Sequence, residues 1–169
     1  MTKRFGAIAS SQLPLHYLLA LKSPWSPLQF LTRSSHETLN VSHQILGRVI
    51  SVLLYLHGAF YLNFYIQASL LGTKLREAYV LCGIVALLAF TIVGTTALAP
   101  VRRVSYRVFY IVHVCLASAL LPILFFHVSH IRLYLYETLV VYLLHSALRF
   151  FSSKTLPGTI RLLKESSLL

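Results

Sequence analysis

Eight of the 169 residues are histidine, and four of those stand at matched intervals inside apolar stretches. His43 and His57 are fourteen residues apart, and so are His113 and His127. On an α-helix fourteen residues turn through about 1400°, about 40° short of four full turns, so the members of each pair face nearly the same way. They are separated by about 21 Å along the helix axis. One member of each pair therefore sits toward one face of a membrane and the other toward the opposite face. Ionisable side chains at such depths are costly to place and mark functional paths.

The two stretches have one apolar stretch between them, so their helices run parallel. His43 is then level with His113, and His57 with His127. Two neutral imidazoles facing each other across a gap suit the axial positions of a haem iron. A zinc site would instead gather four ligands at one point. The pattern predicts two stacked haem sites with His43, His57, His113 and His127 as metal ligands. Gly47 and Ala117 each follow a histidine by four, and Gly58 follows His57, which leaves room for a macrocycle. Ile50, Leu54, Leu120 and Leu124 lie between the levels and would keep water out. On their own these small and apolar residues read equally as ordinary helix packing.

Arg48, Arg102, Arg103 and Arg107 cluster near one level, where haem propionates attract cations. Arg48 is taken as a cofactor-binding residue on equal terms with a headgroup contact; the other three read as headgroup contacts. His130 is rotated about 100° from the His113 face and is a fallback ligand only. His36 is expected in a loop. His16 and His145 have no partner at matching depth and read as packing or surface residues.

The elements that must position these side chains are apolar runs at 5–21, 41–66, 79–98, 106–128 and 133–151. About 20 apolar residues span a bilayer, so the middle three qualify clearly. The fifth is slightly short. The first is interrupted by Ser10, Ser11, Gln12, Pro14 and His16, and reads as a spanning or half-buried helix. It is too short before its small residues for a signal peptide. Pro122 should kink the fourth helix without ending it. Connections are at 22–40, 67–78, 99–105 and 129–132, and most are short enough for antiparallel neighbours. The expected fold is an all-α polytopic transmembrane bundle of about five helices. Residues 1–151 form the membrane domain and 152–169 a short tail.

Only 11% of the residues are charged and mean hydropathy is +0.73, where a soluble domain carries about 25% charged. The partner of such a surface is the lipid bilayer. Lys and Arg exceed Asp and Glu by 15 to 4. The basic residues sit between and at the ends of the apolar runs, as membrane topology requires, so nucleic acid is rejected as a partner. Ten basic residues fall on the side of the C-terminus and five on the other, which places the C-terminus in the cytoplasm. Cys82 and Cys115 lie singly in apolar runs and indicate neither a disulfide nor a zinc site.

Three segments resemble the ferric reductase-like transmembrane domain shared by ferric and cupric reductases and NADPH oxidases. They are LPLHYLLALKSP, HETLNVSHQILGRVISVLLYLHG and APVRRVSYRVFYIVHVCLASALLPILFFH. The paired H-x13-H spacing, the Gly-Arg after His43 and the R-x-x-Y-R-x-F-Y-x-x-H approach to His113 carry the resemblance, which covers roughly 13–151. It implies two b-type haems on His43, His57, His113 and His127. It also implies electrons supplied by NADPH through FAD on a cytosolic domain, and a ferric chelate or oxygen as acceptor. No Gly-rich dinucleotide fingerprint occurs in the chain. FAD and NADPH are therefore expected on a missing domain or on a partner flavoprotein reductase.

The resulting expectation is an integral membrane oxidoreductase, in the plasma membrane by family resemblance or else in an internal membrane. It would move electrons through two bis-histidine haems toward ferric chelates in iron uptake. Three alternatives stand beside it: a superoxide-producing oxidase domain, a non-redox membrane protein whose histidines merely pack, and an inactive truncated fragment.

Overall fold

A computed structural model describes residues 2–21 and 26–152 of the chain. Among them every regular element is helical: α1 (Thr2–Ser11), α2 (Leu13–Leu19), α3 (Pro27–Thr32), α4 (His36–Gln67), α5 (Leu71–Lys74), α6 (Ala78–Thr96), α7 (Ala99–Val104), α8 (Tyr106–His127) and α9 (Arg132–Ser152), with one 3₁₀ turn at Ser129–Ile131. The all-α membrane bundle is thus as the sequence implies. Three helices, α4, α6 and α8, are long and apolar enough to cross a bilayer. The fifth run forms α9, whose Arg132, Glu137 and Arg149 interrupt its apolar character.

The first run departs from a single span. It divides at Gln12 into α1 and α2, because Pro14 has no N–H to continue the ladder and is accommodated only in the opening turn of a helix. The connections are more ordered than expected. Pro27 opens α3 and Pro100 opens α7, each in the first helical turn. Helix α4 also starts earlier than its apolar run. Ser35 caps it by accepting the Thr38 N–H at 3.3 Å, so His36 is the first helical residue and not part of a loop. At the other end of the site, α8 continues through Pro122 to His127.

Helix α4 packs against α1, α2 and α6, and α8 packs against α6, α7 and α9. Among the described residues, the two long histidine-bearing helices meet chiefly through the neighbours they share, α6 above all. The core where these elements meet is small and largely apolar, built from Ala9, Leu13, Ile50, Ala86, Leu120 and Leu124 among others, with Ser10 buried beside them. The outward faces are apolar as well: Val49, Val52, Leu56, Leu88, Ile92 and Ile111 are exposed. In water such a surface would drive aggregation; in lipid it is the ordinary exterior of a bundle. The expected tail lies outside the described residues beyond Ser152.

Candidate functional site

Helices α4 and α8 run parallel and in register, which brings the four histidines together as two pairs. The ring centres of His43 and His113 are 6.3 Å apart and tilted by 58°. Those of His57 and His127 are 6.5 Å apart and nearly perpendicular at 85°. These separations are too long for stacking. They match a metal between the rings: with metal–nitrogen bonds of about 2.0–2.1 Å and a nitrogen about 1.1 Å from its ring centre, a bridged pair of imidazoles has centres about 6 Å apart. Among the described residues no group of three or more His, Cys, Asp or Glu is arranged to hold a metal ion, so the arrangement is one of facing pairs.

Hydrogen bonds fix which nitrogen is free on three of the four rings. Nδ1 of His43 lies 3.0 Å from the His16 carbonyl, Nδ1 of His57 is 2.9 Å from the Thr2 carbonyl, and Nδ1 of His127 is 2.6 Å from the Tyr79 carbonyl. A carbonyl oxygen only accepts, so each Nδ1 carries the hydrogen and donates. Nε2 then keeps its lone pair, the state a metal ligand requires. The Nδ1 of His113 is buried without a partner among the described residues.

Glycines let the supporting helices come this close. A Cβ on Gly6 would lie 2.8 Å from Cε1 of His57, and one on Gly83 would lie 2.5 Å from Cε1 of His127. Both glycines stand four residues after the accepting carbonyl, at Thr2 and Tyr79, so each is one turn along the same helix face. The α1–α2 segment runs antiparallel to α4. Thr2 and His16 are fourteen residues apart, and so are the two histidines they receive.

Between the levels lies an apolar layer, as expected. Ile50 is 1% exposed, Leu120 3% and Leu124 7%, and Leu54 packs against them. The space left beside Ala9, Leu13 and Phe90 is about 10 Å³, at the lower limit for a single water. The layer is dry.

Arg48 is exposed on α4. Arg102 lies over the Phe109 ring at 6.0 Å, and Phe109 in turn packs on His113 at 5.3 Å. His130 is exposed in the 3₁₀ turn.

His16 corrects the expectation most directly. Far from lacking a partner at matching depth, its ring stacks on His43 with centres 4.0 Å apart and planes within 9°. A Cβ on Gly47 would lie 3.0 Å from Cε1 of His16. That glycine therefore makes room for His16, where the sequence pattern gave it to a macrocycle. Treating 5–21 as one straight helix hid this depth. Gly6 and Gly83 carry a signal in the sequence as well, since a glycine inside an apolar helix costs about 1 kcal/mol against alanine and calls for a close approach. The accepting carbonyls have no side-chain signature.

The fold and the paired imidazoles define a membrane-embedded domain with two facing histidine sites. The chain belongs to the family described as the ferric reductase like transmembrane component, whose model matches residues 5–124. The match includes His43, His57 and His113 and stops short of His127. Over 113 residues the chain is 36% identical to a "Probable ferric reductase transmembrane component" of Eremothecium gossypii, covering 67% of this chain and 16% of that protein. It is 27% identical over 129 residues to a "Probable metalloreductase AIM14" of Zygosaccharomyces rouxii, covering 74% of this chain and 24% of that protein. The Meyerozyma guilliermondii protein of the same name is 30% identical over 128 residues, with 74% and 24% covered. The chain thus spans less than a quarter of the length of these relatives.

Proposed function

We propose that the chain is the haem-carrying membrane domain of a ferric-chelate reductase, carrying electrons across a bilayer. The observation that supports this most is the pairing of imidazoles at 6.3 and 6.5 Å with three Nδ1 atoms tied to carbonyls. Mere packing of histidines requires neither the separation nor a uniform tautomer. The relatives named as a ferric reductase component and as metalloreductases point to the same chemistry.

His43 with His113 would hold one b-type haem, and His57 with His127 a second. Haem iron, when bound, supplies a one-electron Fe(III)/Fe(II) change. The rest is set by the chain itself. The carbonyls of His16, Thr2 and Tyr79 hold three ligand rings in the tautomer that presents Nε2. The layer of Ile50, Leu120 and Leu124 excludes water between the levels and so keeps protons and ions from following. Arg48 is the candidate cation for a propionate. No side chain is required as an acid, base or nucleophile.

The donor would be a flavoprotein domain or subunit using FAD and NADPH on the cytoplasmic side, where the basic excess puts the C-terminus. The acceptor would be a ferric chelate on the other side, and the membrane the plasma membrane. The test is a proteoliposome with haem-loaded chain, reductant outside and ferric citrate trapped inside. Formation of ferrous iron that His57→Ala or His127→Ala abolishes is expected. Superoxide in place of ferrous iron would favour an oxidase domain, and neither product would favour a non-redox bundle.

A further inference from the structure

We propose that His16 is a positioning residue for His43: its ring sets the ring plane of that ligand, beside the backbone carbonyl at the same position that sets the tautomer. The inference rests on the reading of His43 as a haem ligand and adds a residue to that site. His16 makes both contacts itself. Its ring lies flat on the His43 ring, 4.0 Å between centres and 9° between planes, and its carbonyl accepts the Nδ1–H of His43 at 3.0 Å. The carbonyl is available because α2 ends one turn later. The Ala20 N–H, which a continuing helix would direct at His16, bonds instead to the Tyr17 carbonyl at 3.2 Å.

The ring itself is wedged in place. Gly47 follows His43 by one helical turn, and a Cβ there would lie 3.0 Å from Cε1 of His16. His16 thus occupies the one slot on α4 that faces the ligand and lacks a side chain. A hydrocarbon ring would fill that slot without burying a polar atom, yet His16 carries an Nδ1 that is buried without a partner among the described residues. Among the described residues the second level shows no ring stacked on its ligand. There His57 meets Tyr61 edge-on, at 4.9 Å and 70°. The two levels also differ in the angle between facing rings, 58° against 85°. The carbonyl at position 16 is backbone and stays in any substitution, so it is through the stacked ring that His16 itself sets the plane of His43 and hence that angle.

The angle between axial imidazole planes governs the g anisotropy of a low-spin ferric haem, so the proposal has a spectroscopic readout independent of activity. The experiment compares the haem-loaded full chain with His16→Ala, His16→Phe and His43→Ala by haem stoichiometry, electron paramagnetic resonance and redox titration. His16→Ala is expected to keep helical content and the signal of the second haem. The low-field g value and midpoint potential of one haem should move, or that haem should be lost. His16→Phe, which restores a stacked ring, should bring the g value back toward wild type. A His16→Ala protein with both signals and both potentials unchanged would overturn the proposal, as would failure of His16→Phe to recover the g value. If His43→Ala kept both haems, or the wild-type chain bound none, the ligand reading itself would fall, and this proposal with it.

Discussion

Gly83 stands against the edge of the His127 ring, so close that a Cβ would come within 2.5 Å of Cε1. One turn earlier on the same helix, the Tyr79 carbonyl accepts from that ring at 2.6 Å. A single methyl at Gly83 would push the ring off its acceptor. Gly83→Ala is therefore expected to weaken retention of one haem about 10- to 100-fold, the equivalent of an overpacking cost of about 1–3 kcal/mol, while leaving the other haem bound. Haem-to-protein ratio after gel filtration reads this directly. A ratio equal to wild type would contradict it.

The same relationship recurs at Gly6 and His57, on a helix from a different part of the chain. Gly6→Val should also release one haem, and it should be the same one that Gly83→Ala releases. The double variant then loses no more haem than either single variant. Loss of both haems in the double variant, with the fold intact by circular dichroism, would show that Gly6 and Gly83 serve different sites.

Much of this was legible in the sequence. The H-x13-H spacing gave the two levels, since fourteen residues fall close to whole turns of a helix, and the apolar runs gave the helices that carry them. What escaped was held by groups without a sequence signature. The carbonyls of Thr2, His16 and Tyr79 are backbone, and any residue would supply them. His16 escaped for another reason: its depth depends on the break at Gln12 and Pro14, which periodicity alone reads as a blemish in one helix. Arg48, read from the cluster of arginines near the His43 level, is exposed on α4, and Arg102 lies over Phe109, which packs on His113.

Ile50 is 1% exposed in the layer between the levels. Ile50→Ala would leave a cavity there and destabilise the bundle by about 2–5 kcal/mol, with every ligand still present. The Soret band should be lost at a lower temperature while the spectrum before melting is unchanged. An altered low-temperature spectrum would place Ile50 in contact with a haem, contrary to its position in the apolar layer.

The central claim is that two facing pairs of histidines each hold a haem, and the most direct measurement is a reduced-minus-oxidised spectrum of the purified chain with haem stoichiometry. The account predicts two low-spin b-type haems per chain, falling to one in His43→Ala, His57→Ala, His113→Ala or His127→Ala. A folded, helical chain with no haem, or a His57→Ala/His127→Ala double variant that still carries two, would contradict it.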